Sequence, residues 1–156
     1  MTKKSRIATL LAPIALIACA QAAAATTIEV LKNPNCGCCG IWVERMREAG
    51  FSVNVTETTD TDAAANAAGV PANLRSCHTA TVDGYAIEGH VPAEDIRRLI
   101  ASKPDAIGLA VPGMPLGSPG MEVPGRADTY QVVLIAKDGK HSVFATHNGQ
   151  ADAHVH

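Results

Sequence analysis

The sequence has no excess of positive charge, no apolar run long enough to span a bilayer, no twin-arginine leader and no internal repeat. Each absence removes a class of function. Thirteen Lys and Arg stand against fifteen Asp and Glu, a formal net charge of −2. That balance argues against nucleic acid or an anionic membrane surface as partner. The longest apolar run, Ile7 to Ala18, has 12 residues, too few for a mature transmembrane helix. With 156 residues and no repeat, the chain has room for one modest domain.

The first residues are read as a leader. Lys3, Lys4 and Arg6 form a charged start, the apolar run follows, and small residues with Ala-x-Ala options come next. This is the pattern of a secretory signal peptide. Residues 1–25 are therefore assigned to it, with export to a bacterial periplasm. Leu16-Ile17-Ala18-Cys19 also fits a lipoprotein box, and lipidation of Cys19 would make the protein anchored. Removal of the leader leaves ten basic against fifteen acidic residues, a net charge of −5. The mature chain has no membrane span. Residues 26–147 are assigned to the domain and 148–156 to a flexible tail carrying His154 and His156.

What the mature chain does have is thiols, unusually placed. Cys36, Cys38 and Cys39 fall within four positions, and Cys77 lies 38 residues beyond Cys39. Adjacent side chains cannot all point into one core, so the cluster is not core filler. Nor does it suit ordinary structural disulfides, which need separated Cα atoms and specific dihedrals. Metal binding, thiol redox chemistry, or both, are the remaining readings.

The surrounding pattern places the cluster. Ile28 to Leu31 reads as a strand, and Trp42, Val43, Met46 and Ala49 recur at helical spacing from Ile41 onward. Phe51 to Val55 alternates as a second strand. A β-α-β opening implies a parallel pair with a right-handed crossover. A short Ala-rich helix follows at 63–68, capped by Asp60-Thr61-Asp62. Asp83-Gly84 between two β-prone runs predicts a tight hairpin. A further helix begins after Pro92, with Ile96, Leu99 and Ile100 as its buried stripe. From Gly108 to Gly125, nine of eighteen residues are Gly or Pro. No regular element is expected there, only a functional or mobile loop. Tyr130 to Ala136 and His141 to Thr146 then read as a C-terminal hairpin across Asp138-Gly139. The fold expected is α/β and thioredoxin-like: a small mixed sheet flanked by helices, with a Gly/Pro-rich loop and a C-terminal β-hairpin.

In that fold the thiols sit where a strand meets a helix N-terminus, a position that stabilises a thiolate. Cys36 and Cys39 form a C-x-x-C and are the redox candidates. By analogy of fold, the loop entering the third strand faces them, which brings Cys77 to the cluster. Bunched, adjacent thiolates suit several ions sharing bridging sulfur better than one tetrahedral zinc. Soft thiolates select Cu(I), zinc or iron–sulfur. Iron–sulfur is disfavoured on an exported chain without a twin-arginine leader, and Cu(I) fits best. Met114 and Met121 are candidate auxiliary ligands if the loop folds over the site, and His78 is another. His90 is expected at the start of a helix as a cap or surface residue, and Trp42 as a packing anchor.

Three segments carry a resemblance. Asn-Pro-Asn-Cys-Gly-Cys-Cys-Gly at 33–40, Pro-Ala-Asn-Leu-Arg-Ser-Cys-His-Thr-Ala at 71–80 and Val-Asp-Gly-Tyr-Ala-Ile-Glu-Gly-His-Val-Pro-Ala-Glu-Asp-Ile at 82–96 resemble the CopG-type periplasmic copper-resistance proteins, small exported proteins long labelled a domain of unknown function. Gly-Leu-Ala-Val-Pro-Gly-Met-Pro-Leu-Gly-Ser-Pro-Gly-Met-Glu at 108–122 fits the same family. The resemblance spans about 27 to 147. It implies a thioredoxin-like fold, copper bound by Cys36, Cys38, Cys39 and Cys77, and a role in copper tolerance, with copper redox cycling a further implication. On this basis the expected cofactor is Cu(I), more than one ion per chain, and the expected partners are copper ions and periplasmic copper-handling or efflux proteins. Oxidation is expected to pair Cys36 with Cys39 first. The alternative is a periplasmic thiol–disulfide oxidoreductase acting through Cys36 and Cys39. Nothing is carried onto the histidine tail.

Overall fold

A computed structural model describes residues 25–148 of the protein. The expected leader up to residue 24, Cys19, and the tail histidines 154 and 156 lie outside the described residues.

Within them, β1 (Thr27–Lys32), α1 (Gly37–Glu48), β2 (Ser52–Glu57) and α2 (Thr61–Ala67) are followed by a 3-10 turn at Ala72–Leu74. Then come β3 (His78–Val82), β4 (Tyr85–Glu88), α3 (Ala93–Ser102), β5 (Ala106–Ala110), β6 (Tyr130–Ala136) and β7 (His141–His147). The strands form one mixed sheet in the order β2-β1-β3-β4-β5-β6-β7. The β1–β2 and β4–β5 pairs are parallel and the others antiparallel.

Local chemistry accounts for the boundaries. Helix α1 ends in a Schellman arrangement: Gly50, at φ +88°, donates to Arg47 O at 2.8 Å, and Phe51 N donates to Met46 O at 3.1 Å. Helix α2 begins where Asp60 Oδ1 accepts the Ala63 amide at 2.9 Å. The β3–β4 turn has positive φ at both Asp83 (49°) and Gly84 (83°), the geometry that suits the twist of the flanking strands.

The sheet buries both faces, which is visible in neighbouring residues dividing between two cores. Ile87, Leu109 and Val132 join Ile28, Val30, Trp42, Met46, Ile96 and Leu99 in the larger core beneath α1 and α3. Their neighbours Ala86, Ala110 and Val133 join Ala65, Val70 and Ile135 in the smaller core beneath α2. Side chains alternating with period 2 send adjacent residues to opposite faces.

One element departs from the sequence expectation. Gly108 does not open an irregular stretch; it lies inside strand β5, paired with Ala86. A Cβ at Gly108 would fall 1.8 Å from Ala86 O. Only glycine permits this approach of two backbones, so a residue that reads as a breaker is here a strand residue. The irregular loop proper occupies 111–129, between β5 and β6. It is tied down: Leu116 N donates to Asp128 Oδ2 at 2.9 Å, Asp128 N donates to Leu116 O at 2.8 Å, and Gly113 N donates to Arg75 O at 3.2 Å. Among the described residues, no helix is long and apolar enough to cross a membrane.

Candidate metal centre

The thiols gather at one end of the sheet because three chain segments end there. Strand β1 delivers the chain to α1, whose N-cap is Cys36. Helical geometry then puts Cys38 and Cys39 in its first turn, where backbone N–H groups have no partner within the helix. No acidic residue occupies that turn, so no carboxylate of the helix's own first turn competes with the sulfurs for the positive end of its dipole. The loop into β3 supplies Cys77 from the other side. One sulfur from each of Cys36, Cys38, Cys39 and Cys77 lies within 4.8 Å of the others. Cys36 and Cys39 are joined as a disulfide, while Cys38 and Cys77 are free. Cys38 Sγ is 3.5 Å from Cys36 Sγ. Cys39 is fully buried, and the other three are half-buried.

Cys77 has its own neighbourhood. Its Sγ lies 3.2 Å from His90 Nε2 and 3.5 Å from His78 Nδ1. Both rings are completely buried. His90 Nδ1 donates to Pro119 O at 2.8 Å. In the neutral ring this leaves Nε2 bare, with its lone pair toward Cys77. The His78 ring packs against Trp42 at 4.6 Å between centroids, and its Nε2 is buried with no hydrogen-bond partner among the described residues. Burial holds both histidines neutral: His78 is lowered to about 3 by burial, with the His90 and Lys32 charges adding, and His90 is lowered by burial. Cys77 moves the other way, raised to about 11 by burial and by the neighbouring Cys38. The Cys77–His90 contact is therefore a neutral thiol donating to a neutral imidazole, not a thiolate–imidazolium pair.

Glu88 fixes the loop that carries Cys77. It is buried, and it accepts the Ser76 amide at 2.7 Å with one carboxylate oxygen and the Thr79 hydroxyl at 2.7 Å with the other. The two bonds bracket Cys77 and His78. Burial raises the Glu88 pKa, opposed by those same hydrogen bonds.

The Gly/Pro loop closes the site from above α1. Gly120, at φ +87°, lies so near the helix that a Cβ would meet Cys38 O at 2.7 Å and Trp42 N at 2.8 Å. Of the two methionines it carries, Met114 is exposed and Met121 half-buried.

Two similar structures, both named Copper resistance protein copG, match this chain along most of its length. Form 2 is 45% identical with a TM-score of 0.76, and Form 1 is 46% identical with a TM-score of 0.75. Each match covers 79% of this chain and 98% of the other. The chain belongs to the CopG-type family. A family model described as "Protein of unknown function, DUF411" also matches residues 74–121, a span holding Cys77, His78, His90 and the loop as far as Met121. No curated protein matches.

In this CopG-type chain, Cys36, Cys38, Cys39, Cys77 and His78 come together, while Met114 is exposed. His90 is not the cap or surface residue expected from sequence; it is buried against Cys77. The sequence signal was weak, since Gly89-His90-Val91-Pro92 reads as a lead into α3. Only Pro119, contributed by a distant loop, explains why the ring turns inward. Trp42 is the expected anchor, buried, with Nε1 donating to Val91 O at 3.0 Å.

Proposed function

We propose that the protein is a periplasmic Cu(I)-binding protein of copper resistance, with a thioredoxin-like fold and a copper–thiolate cluster on Cys36, Cys38, Cys39 and Cys77. The observation that carries this reading is the gathering of those four sulfurs, from two separate segments, within 4.8 Å. Thiolates that close favour a soft ion tolerant of low coordination and shared sulfur. The role in copper resistance is carried over from the two similar structures named for it. The fold reading is supported by the β2-β1-β3-β4 order, with α1 and α2 as crossovers and α3 after β4. Periplasmic residence rests on the leader at 1–25.

Copper is cargo here, and the disulfide gates it. Reducing Cys36–Cys39 takes two electrons and two protons from a thiol reductant and gives two thiols. Those thiols, with Cys38 and Cys77, lose protons as they take Cu(I), so uptake weakens in acid. Oxidation of Cys36 and Cys39 by a protein or small-molecule disulfide, which takes up the two electrons, removes two of the four ligands and returns the ions those two sulfurs hold. His78, Met114 and Met121 are auxiliary donors within this reading.

A second reading, a thiol–disulfide oxidoreductase, is favoured by the Cys36–Cys39 disulfide at a helix N-terminus. Against it stands Cys38, 3.5 Å from Cys36, where it invites side reactions with any mixed disulfide. The deciding experiment is anaerobic Cu(I) titration of the reduced mature protein, with X-ray absorption at the copper edge. More than one copper per chain on sulfur is expected, with stoichiometry falling in Cys36→Ser and Cys77→Ser. Full stoichiometry in both variants would overturn the cluster. Insulin reduction without copper binding would put the oxidoreductase in its place.

A further inference from the structure

The four-thiol group and the Cys77–His78–His90 group share one residue and differ in chemistry. The first loses two ligands when Cys36 and Cys39 pair. The second loses none. Its donors are one thiol and two imidazoles, with one ligand atom from each lying within 4.8 Å of the others. We propose that the disulfide-bonded protein keeps a mixed sulfur–nitrogen metal site, formed by Cys77 Sγ, His90 Nε2 and His78, that holds one ion of Cu(I) or of a borderline divalent metal. This deepens the metal-binding function above and rests on it for the identity of the natural cargo.

Three features point to a ligand rather than to packing alone. The first is the orientation of His90. Donation from Nδ1 to Pro119 O fixes the tautomer and aims the bare Nε2 at Cys77 Sγ, 3.2 Å away. A metal-bound histidine is commonly held in this way, by a carbonyl on its far nitrogen. The second is His78, a completely buried ring whose Nδ1 lies 3.5 Å from Cys77 Sγ, so that a second imidazole nitrogen faces the same sulfur. The third is the rigidity of the surroundings. Glu88 pins both sides of the Cys77 loop, Trp42 packs on the His78 ring, and Gly120 holds the Pro119 strap against α1. The donors are thus placed before any ion arrives, which reduces the ordering that binding must impose.

The donor set also indicates the chemical class. Imidazole suits copper and zinc, and a thiolate adds softness. Cys38, free in the disulfide form and with its sulfur within 4.8 Å of Cys77 Sγ, is available as a further donor. Loading displaces one proton, from the Cys77 thiol, and neither forms nor breaks a covalent bond. The disulfide-bonded protein would then be a one-ion form and the reduced protein a multi-ion form, with Cys77 common to both.

The test uses the mature protein oxidised to a single Cys36–Cys39 disulfide, verified by a count of two free thiols and by peptide mass. Co(II) is the probe, because a tetrahedral sulfur–nitrogen site gives it visible d–d bands and a near-ultraviolet thiolate charge-transfer band. One Co(II) per chain with both signatures is expected, displaced by Zn(II) or Cu(I). Cys77→Ser, nearly isosteric, should lose the charge-transfer band. His90→Gln should weaken binding at least about tenfold, while circular dichroism reports whether it stays folded. Cys36→Ser/Cys39→Ser, which mimics loss of the same two ligands without a disulfide, should keep the site. No binding to the oxidised protein, or unchanged spectra in a folded Cys77→Ser variant, would overturn the proposal. Parallel Cu(I) titration of the reduced protein separates the two failures: copper there but no ion in the oxidised form leaves the cluster standing and removes only this site.

Discussion

At the scale of single residues, the site is made of groups held in their neutral forms until something displaces a proton. Cys77 shows this most directly. Its thiol, raised to about 11 by burial and by Cys38, donates to a neutral His90. Cys77 is thus not itself an exchange nucleophile, which is an exposed thiol of low pKa. In the metal-free disulfide form, alkylation of Cys77 by iodoacetamide, followed by peptide mass, should accelerate about tenfold per pH unit up to pH about 11. A rate that levels off near neutral pH would show that Cys77 rests as a thiolate and that its contact with His90 is an ion pair. The cysteines could be singled out from sequence because their crowding has no other use. His90 and Glu88 could not. One depends on a carbonyl 29 residues away and the other on an amide 12 residues away, and no local pattern encodes either.

At the scale of elements, legibility followed local chemistry. The β3–β4 hairpin matches its expected bounds because Asp83-Gly84 dictates the turn without outside help. Helix α1 starts earlier than the hydrophobic spacing suggests, at Gly37, since its first turn is made of thiols and glycines that carry no amphipathic signal. Strand β5 was hidden because Gly108 serves a partner strand, and sequence-local reasoning sees only a breaker. Its requirement can be tested. Gly108→Ala drives a methyl into the backbone of Ala86 and should cost at least about 2 kcal/mol, read as a lower urea midpoint. A neutral substitution would mean that β4 and β5 separate more easily than their pairing suggests. The Gly/Pro loop was correctly expected to lack regular structure. Its hydrogen bonds to Arg75 and within itself make it a fixed wall of the site.

At the scale of the whole molecule, the buried histidines link folding to pH. His78 has a folded pKa of about 3 against an ordinary value of 6.5, and His90 shifts in the same direction. The unfolded chain therefore binds more protons than the folded one between those values. Stability is complete above pH about 6.5 and is lost as pH falls toward 3, by up to about 5 kcal/mol for His78 as an upper bound. Glu88, whose pKa is raised, acts in the opposite sense: its contribution declines as pH rises from 4.5 through its folded value, offsetting part of the histidine effect. The metal-free protein should thus unfold in weaker urea at pH 4.5 than at pH 7. His78→Phe, which keeps an aromatic ring against Trp42, should flatten that dependence; an unchanged slope would place the proton uptake elsewhere.

The two halves of the thiol group come from opposite sides of a chain excursion, Cys77 lying 38 positions after Cys39. That excursion contains most of α1, the edge strand β2 and helix α2. An ion gripping both halves would act as a clasp on everything in between. Its binding free energy would be added to the folding of that lobe, and the midpoint of melting would rise with the concentration of free metal. A cell short of copper and a cell flooded with it would then contain proteins of identical sequence and different durability, the better-armoured one present when it is needed.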